Sequence, residues 1–251
     1  MVSVMARVKQ VKQPRGGYIN PKEFNIFELS DGIDLHPKEN LSPILMGIVV
    51  DYLTRFTLGT SLEDAFKTSR QGAFNIKELE YASELLSEIR GLDDNSIKNA
   101  CKIVGYDVIY RAGIAAYTTP VQTIQPDLNT ISNVRIMVER SVAFNEKYGP
   151  IIKDGFTFEG GYNQIITSGD GDFLTETTLW DFKVSKVGPT NKHTLQLLVY
   201  YLMGLRSIHP EFKNIKELGV FNPRLNTVYL LDINDISSEI ISEVSSEVIG
   251  Y

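Results

Sequence analysis

The chain has 251 residues, of which 43% are hydrophobic and 22% charged, with a formal net charge of −6. This is ordinary globular material, long enough for one large domain or a core domain with a sizeable insertion. No stretch approaches the roughly eighteen uncharged residues of a membrane span, and no charged-then-apolar leader opens the chain, so a cytoplasmic protein without a membrane partner is expected. The single cysteine, Cys101, excludes an internal disulfide and a four-cysteine cluster.

The acidic balance argues against a protein that coats nucleic acid indiscriminately, but the charge is unevenly spread. Arg7, Lys9, Lys12, Arg15 and Lys22 open the chain with no acid among them, whereas no Lys or Arg follows Arg224 and Asp232, Asp235, Glu239, Glu243 and Glu247 do. Residues 1–40 are read as a basic arm and loop suited to a phosphate backbone, with the acidic tail held away from it. A disordered leader and a solvated helix face are the alternatives.

Residues 41–150 read as a helical region. Leu41-Ser42-Pro43 supplies a cap and first turn, and the apolar run Ile44–Phe56 a buried helix ending near Gly59. Further helices are expected over Ser61–Ala73, Ile76–Arg90, Ser96–Arg111 and about Thr130–Lys147. Asp51, one turn after Gly47 in the first of these runs, is costly to bury alone and calls for a partner, either a metal or Arg55 one turn on. No glycine-rich phosphate loop occurs, and His36, His193 and His209 lack the spacing of a zinc or nucleophile motif.

Residues 151–251 alternate strand and helix. Gly155–Tyr162 and Gly169–Leu174 read as strands, and along Leu179-Trp180-Asp181-Phe182-Lys183-Val184 the period of two puts Trp180, Phe182 and Val184 on one face and Asp181 and Lys183 on the other. With Glu176-Thr177 as a hairpin loop, Phe173 pairs with Trp180, Leu174 with Leu179 and Asp172 with Asp181. Directly opposed Cβ atoms lie roughly 5 Å apart, so the two carboxylates are neighbours of like charge, an arrangement that becomes favourable when a divalent cation lies between them. An acid-x-Lys triplet alone is equally the pattern of a solvated strand face, as Glu211-Phe212-Lys213 illustrates. A calcium-loop reading of Asp170–Asp181 fails because Leu174 and Thr175 hold its fifth and sixth positions. Gly188-Pro189-Thr190-Asn191 then opens a helix over His193–Arg206 that carries Gln196 and Tyr200 on one face. Leu218–Asn222 and Thr227–Asp232 form a hairpin about Pro223-Arg224, and Ile236–Val248 closes the chain as a helix. The expected fold class is α/β with mixed α+β character, a central mixed sheet flanked by helices.

Gly169 with Asp172, then Asp181-x-Lys183, then Gln196-x-x-x-Tyr200, in that order, is similar to the PD-(D/E)XK nuclease superfamily in its RecB-like exonuclease branch, without the iron–sulfur cluster some members carry. Gly47 and Asp51 resemble that branch's first motif, with Asp in place of the commoner His; Glu139, Glu146 and Glu159 are alternatives for its role. The resemblance implies a restriction-endonuclease-like core over 151–251 and hydrolysis of DNA phosphodiester bonds with Mg²⁺ or Mn²⁺. It implies Asp172, Asp181, the Phe182 carbonyl and Asp51 as metal ligands, Lys183 as the group that orients or deprotonates the attacking water, and Gln196 and Tyr200 as supports. An exonuclease or processing nuclease of phage, repair or defence type is expected, with a homo-oligomer or a recombination or replication partner left open. A nucleic-acid- or protein-binding module keeping the fold without turnover is the alternative, and a non-nuclease metal-binding or structural protein a third reading.

Overall fold

The computed structural model describes residues 2–251. In chain order the elements are α1 (Val4–Gln10), β1 (Asn25–Glu28), α2 (Pro43–Thr57), α3 (Leu62–Ala65), α4 (Lys67–Asn75), α5 (Leu79–Ser87), α6 (Asp94–Ile103), α7 (Asp107–Ala112), α8 (Leu128–Tyr148), β2 (Lys153–Phe156), β3 (Gly171–Leu174), β4 (Thr178–Phe182), α9 (Asn191–Arg206), β5 (Glu217–Asn222), β6 (Thr227–Asp232) and α10 (Ser238–Glu243), which continues as a π-helical turn over Val244–Ile249. The chain is mixed α/β and divides into a helical unit, Asp31–Phe144, and a sheet unit made of Met1–Ser30 and Asn145–Tyr251.

In the helical unit α2 begins as its sequence demands. The Ser42 side chain accepts from Leu45 N, Pro43 fills the first turn, and Met46, Val49, Val50 and Leu53 form the buried stripe. Local chemistry divides the longer helices expected from periodicity. Ser61–Ala73 is split at Phe66, whose φ of −102° and ψ of 20° separate α3 from α4. Ser96–Arg111 is broken by a tight turn over Val104–Tyr106, where a Cβ on Gly105 would come within 2.8 Å of Val121 Cγ1. Ile76–Arg90 starts late because Lys77 takes a left-handed φ of 63°. The unit has a buried polar anchor: the Asp107 carboxylate, 1% exposed, accepts from Tyr52 Oη at 2.6 Å, from Ser69 Oγ, and from Arg111 Nε at 3.3 Å. Burial raises the Asp107 pKa and those donors oppose the rise.

The sheet unit is built on a six-stranded sheet in the order β1-β6-β5-β4-β3-β2. All neighbours are antiparallel except β4 and β5, which run parallel with Asp181 beside Val220 and Phe182 beside Phe221. The parallel pair requires a crossover, and α9 supplies it. Thr194 through Tyr200 of α9 are all buried, as suits a helix enclosed on more than one side. α1 and the C-terminal helical turn both pack on α9, with Val4, Val8, Val244 and Val248 at or below 1% exposure. Trp180 fills the space behind β4, where a Cβ on Gly219 would fall 2.4 Å from its ring; only glycine allows β5 that close.

The segment expected as a basic arm and loop folds differently. Its first thirty residues belong to the sheet unit: β1 pairs with β6 from Asn25 opposite Leu230 to Glu28 opposite Thr227. The Arg7 guanidinium donates to the carbonyls of Val248 at 2.8 Å and Glu247 at 2.7 Å. The basic start and acidic end are therefore fastened together, because a guanidinium at a helix C-terminus satisfies carbonyls the helix leaves open. Asp31–Asn40 belongs instead to the helical unit, where Arg140 holds Asp31 by contacts of 2.6 and 2.9 Å.

Candidate functional site

The site grows from the β3–β4 hairpin. Thr175 N donates to Thr178 O at 3.0 Å, closing the loop on Glu176 and Thr177, and the register runs Leu174 opposite Leu179 and Phe173 opposite Trp180. One step further from the loop the same register brings Asp172 and Asp181 to the same face. Trp180 anchors the opposite face: its indole N–H donates to Thr175 Oγ1 at 3.0 Å, and its ring stacks on Phe173 and meets Tyr148 edge-on. Phe182, next on that face, is half-buried beside Phe221.

The two carboxylates are held in different ways. Asp172 is half-buried and accepts from the backbone N–H of Phe182 at 2.7 Å through Oδ2. Asp181 is 1% exposed and accepts from Lys183 Nζ at 2.7 Å through Oδ1. Its other oxygen, Oδ2, is buried with no hydrogen-bond partner among the described residues. From α9, Gln196 Nε2 lies 3.5 Å from Asp181 Oδ1, the outer limit of a hydrogen bond, and donates to Tyr200 Oη at 3.0 Å. Gln196 Oε1 is likewise buried and unpartnered among the described residues. A Cβ on Gly169 would approach Val4 Cγ2 to 2.8 Å and Tyr200 Cε1 to 3.6 Å, so this glycine lets the chain pass against the α9 face that carries Tyr200.

Burial, and then the charge of Asp181, push the Asp172 carboxyl up to about 6, against the opposing pull of Lys183 and the Phe182 N–H. Burial also raises Asp181, and Lys183 opposes it. Tyr200 is raised by burial and then by the two carboxylates. The pair therefore stores unfavourable free energy that a proton on Asp172, or a cation shared by both groups, relieves.

The structure thus gathers Asp172, Asp181, Lys183, Gln196 and Tyr200, with the Phe182 peptide next to Asp181. Of the hairpin's side chains, it is Asp181 that Gln196 approaches. Asp51 and Arg55 are half-buried on α2, which belongs to the helical unit, so the geometry of the sheet unit does not carry Asp51's assignment as a ligand. Of the alternatives, Glu159 is engaged by Thr157 Oγ1 at 2.6 Å. No group of three His, Cys, Asp or Glu side chains is gathered as for a metal ion among the described residues. One residue passed over in the sequence is His193, which precedes Gln196 and Tyr200 at the helical spacing i, i+3, i+7 and so extends their stripe. That spacing was available as a signal.

Comparison of the chain with family models, with characterised proteins and with solved structures finds no match in any of the three.

Proposed function

We propose that the sheet unit is a divalent-metal-dependent nuclease acting on DNA, of exonuclease or processing type, built on the PD-(D/E)XK core. The observation that carries this reading is the adjacent pair of half-buried Asp172 and buried Asp181, with one Asp181 oxygen unpartnered among the described residues and Lys183 bonded to the other. The connectivity supports it as well. A helix is followed by the antiparallel strands β2, β3 and β4, then a crossover helix, then β5 parallel to β4, the core order of that superfamily.

The donor set fits Mg²⁺ or Mn²⁺. Such hard cations take carboxylate and carbonyl oxygens, and Asp172, Asp181 and the Phe182 carbonyl are of that kind. A bound ion would lower the pKa of a coordinated water and screen charge on the scissile phosphate. The protein's own groups do the rest. The Phe182 N–H holds Asp172 in place, and Gln196, itself bonded to Tyr200, steadies Asp181. Lys183 presents its ammonium beside Asp181, where it can hold the attacking water and stabilise charge building on the phosphate.

The test is incubation of the purified chain with labelled linear, circular and single-stranded DNA in Mg²⁺, in Mn²⁺ and in chelator. Cleavage in either metal, none in chelator, and loss in Asp181→Ala are expected. A wild-type protein that cleaves none of these substrates with either metal overturns the reading in favour of a binding module.

A further inference from the structure

His193 occupies a defined place relative to the carboxylate pair. Because α9 is the return helix between two parallel strands, it runs back along β4, and Gln196 faces Asp181. One turn toward the start of α9 is His193; two residues after Asp181, just past the end of β4, is Lys183. The ring is half-buried, and its pKa is pushed down to about 4, by burial first and by the Lys183 charge second, so it is neutral beside the ammonium. Its orientation is fixed by the helix cap: Thr190 N donates to His193 Nδ1 at 3.2 Å. With Nδ1 accepting, the proton of the neutral imidazole sits on Nε2, which has no hydrogen-bond partner among the described residues.

The chain leading into this helix is basic: Lys192 immediately precedes His193 and Lys186 lies seven residues before it, both exposed. The basic opening segment reaches it too: Gln13 Nε2 donates to Asn191 O at 3.1 Å, and Gly17, with φ of +92°, packs so tightly against the Asn191 side chain that a Cβ would stand 2.9 Å from it. Arg15, exposed, lies between those two contacts.

We propose, building on the nuclease reading, that His193 contacts the substrate directly, its Nε2–H donating to a non-bridging oxygen of a nucleic-acid backbone phosphate whose charge Lys183 neutralises, with Arg15, Lys186 and Lys192 guiding the strand to that contact. A neutral donor beside a lysine suits this task, since it adds a directed bond without adding repulsion between two cations.

The cap role and the phosphate role of His193 separate by substitution. Glutamine at this position can accept from Thr190 N and still offer an N–H; glutamate closes the cap equally well but offers no donor and adds negative charge. The measurement is the dissociation constant of a fluorescein-labelled single-stranded DNA oligonucleotide, in chelator at low salt, for wild type, His193→Gln, His193→Glu and His193→Ala, each checked for folding by thermal unfolding. His193→Ala is expected to bind about tenfold more weakly, His193→Glu more weakly still, and His193→Gln within about twofold of wild type. His193→Glu or a folded His193→Ala binding like wild type overturns the inference and leaves His193 as a cap, as does a wild type that binds no oligonucleotide. The nuclease reading falls separately, when oligonucleotide binding follows the expected order but no metal supports cleavage.

Discussion

Replacing Asp172 by asparagine tests the physics of the site apart from any activity. The folded protein holds the Asp172 carboxyl at about 6 against an ordinary value of 3.8, so the native state takes up a proton more readily than the unfolded chain between those values. Stability from this group is complete at acid pH and is lost as pH rises through about 4 to 6. At pH 7 the ionised Asp172 carboxylate, desolvated first and repelled by Asp181 second, costs on the order of 2–3 kcal/mol, since each tenfold gain in proton affinity on folding corresponds to about 1.4 kcal/mol. Asp172→Asn abolishes that cost. Its amide oxygen keeps the bond from Phe182 N, and its NH₂ offers a donor to the neighbouring Asp181, one of whose oxygens lacks a partner among the described residues. In chelator at neutral pH the variant is expected to be more stable than wild type by about that amount, a rise of roughly 5–10 °C in the midpoint, and the two should converge near pH 4. Carboxylates held low, such as Glu159 and Glu211, add stability that is lost only as pH falls below the usual carboxylate range, and they cancel in the difference between the two proteins. Trp180, the only tryptophan, lies behind the pair, so its fluorescence during urea unfolding reports on the sheet unit. Adding Mg²⁺ should stabilise wild type and not Asp172→Asn. A variant less stable than wild type at neutral pH in chelator, with no response of wild type to Mg²⁺, refutes the argument that the carboxylates oppose each other in want of a cation.

Lys183→Ala removes the ammonium 2.7 Å from Asp181 Oδ1 without removing a proposed ligand. Calorimetric Mg²⁺ affinity should hold or rise while cleavage falls by about 10²–10⁴-fold; a variant that cleaves DNA like its parent makes Lys183 a surface lysine. Arg7→Ala deletes two bonds to the carbonyls of Val248 and Glu247, so it should destabilise the sheet unit by about 1–3 kcal/mol in urea unfolding followed at Trp180. An unchanged midpoint would mean those contacts contribute nothing in solution.

The parts of the fold legible in the sequence were those governed by local rules. The β3–β4 register followed from a period of two and a two-residue loop, and Phe173 and Trp180 indeed face each other. The start of α2 followed from Ser42 and Pro43, which act on their own first turn. What was not legible depended on distant partners. Asn25–Glu28 has no pattern of its own, all four residues being exposed, and it is a strand because β6 offers it an edge. The close approach of Val121 and Ile124 to Gly105 in the turn over Val104–Tyr106 involves residues that no window around that glycine contains. The basic opening read as an arm because its charges stand alone in sequence, whereas Arg7 acts on carbonyls at the other end of the chain.

The candidate carboxylate pair was legible for a different reason. A protein selected for stability alone has no use for a carboxylate 1% exposed beside a second one of like charge, and hydrophobic residues of similar volume would stabilise that hairpin better. Retaining both is a cost, and such costs are tolerated chiefly where a ligand or a reaction offsets them. Asp172 and Asp181 stood out for that reason, as acids placed by strand alternation into apolar surroundings. His193 did not, because it lacks the spacing of a zinc or nucleophile motif and entered only as the first residue of an expected helix, whose cap it also closes. The ring becomes informative only once the crossover sets α9 against β4: its capped nitrogen accounts for one half of the imidazole, and the phosphate contact proposed beside Lys183 would occupy the other half.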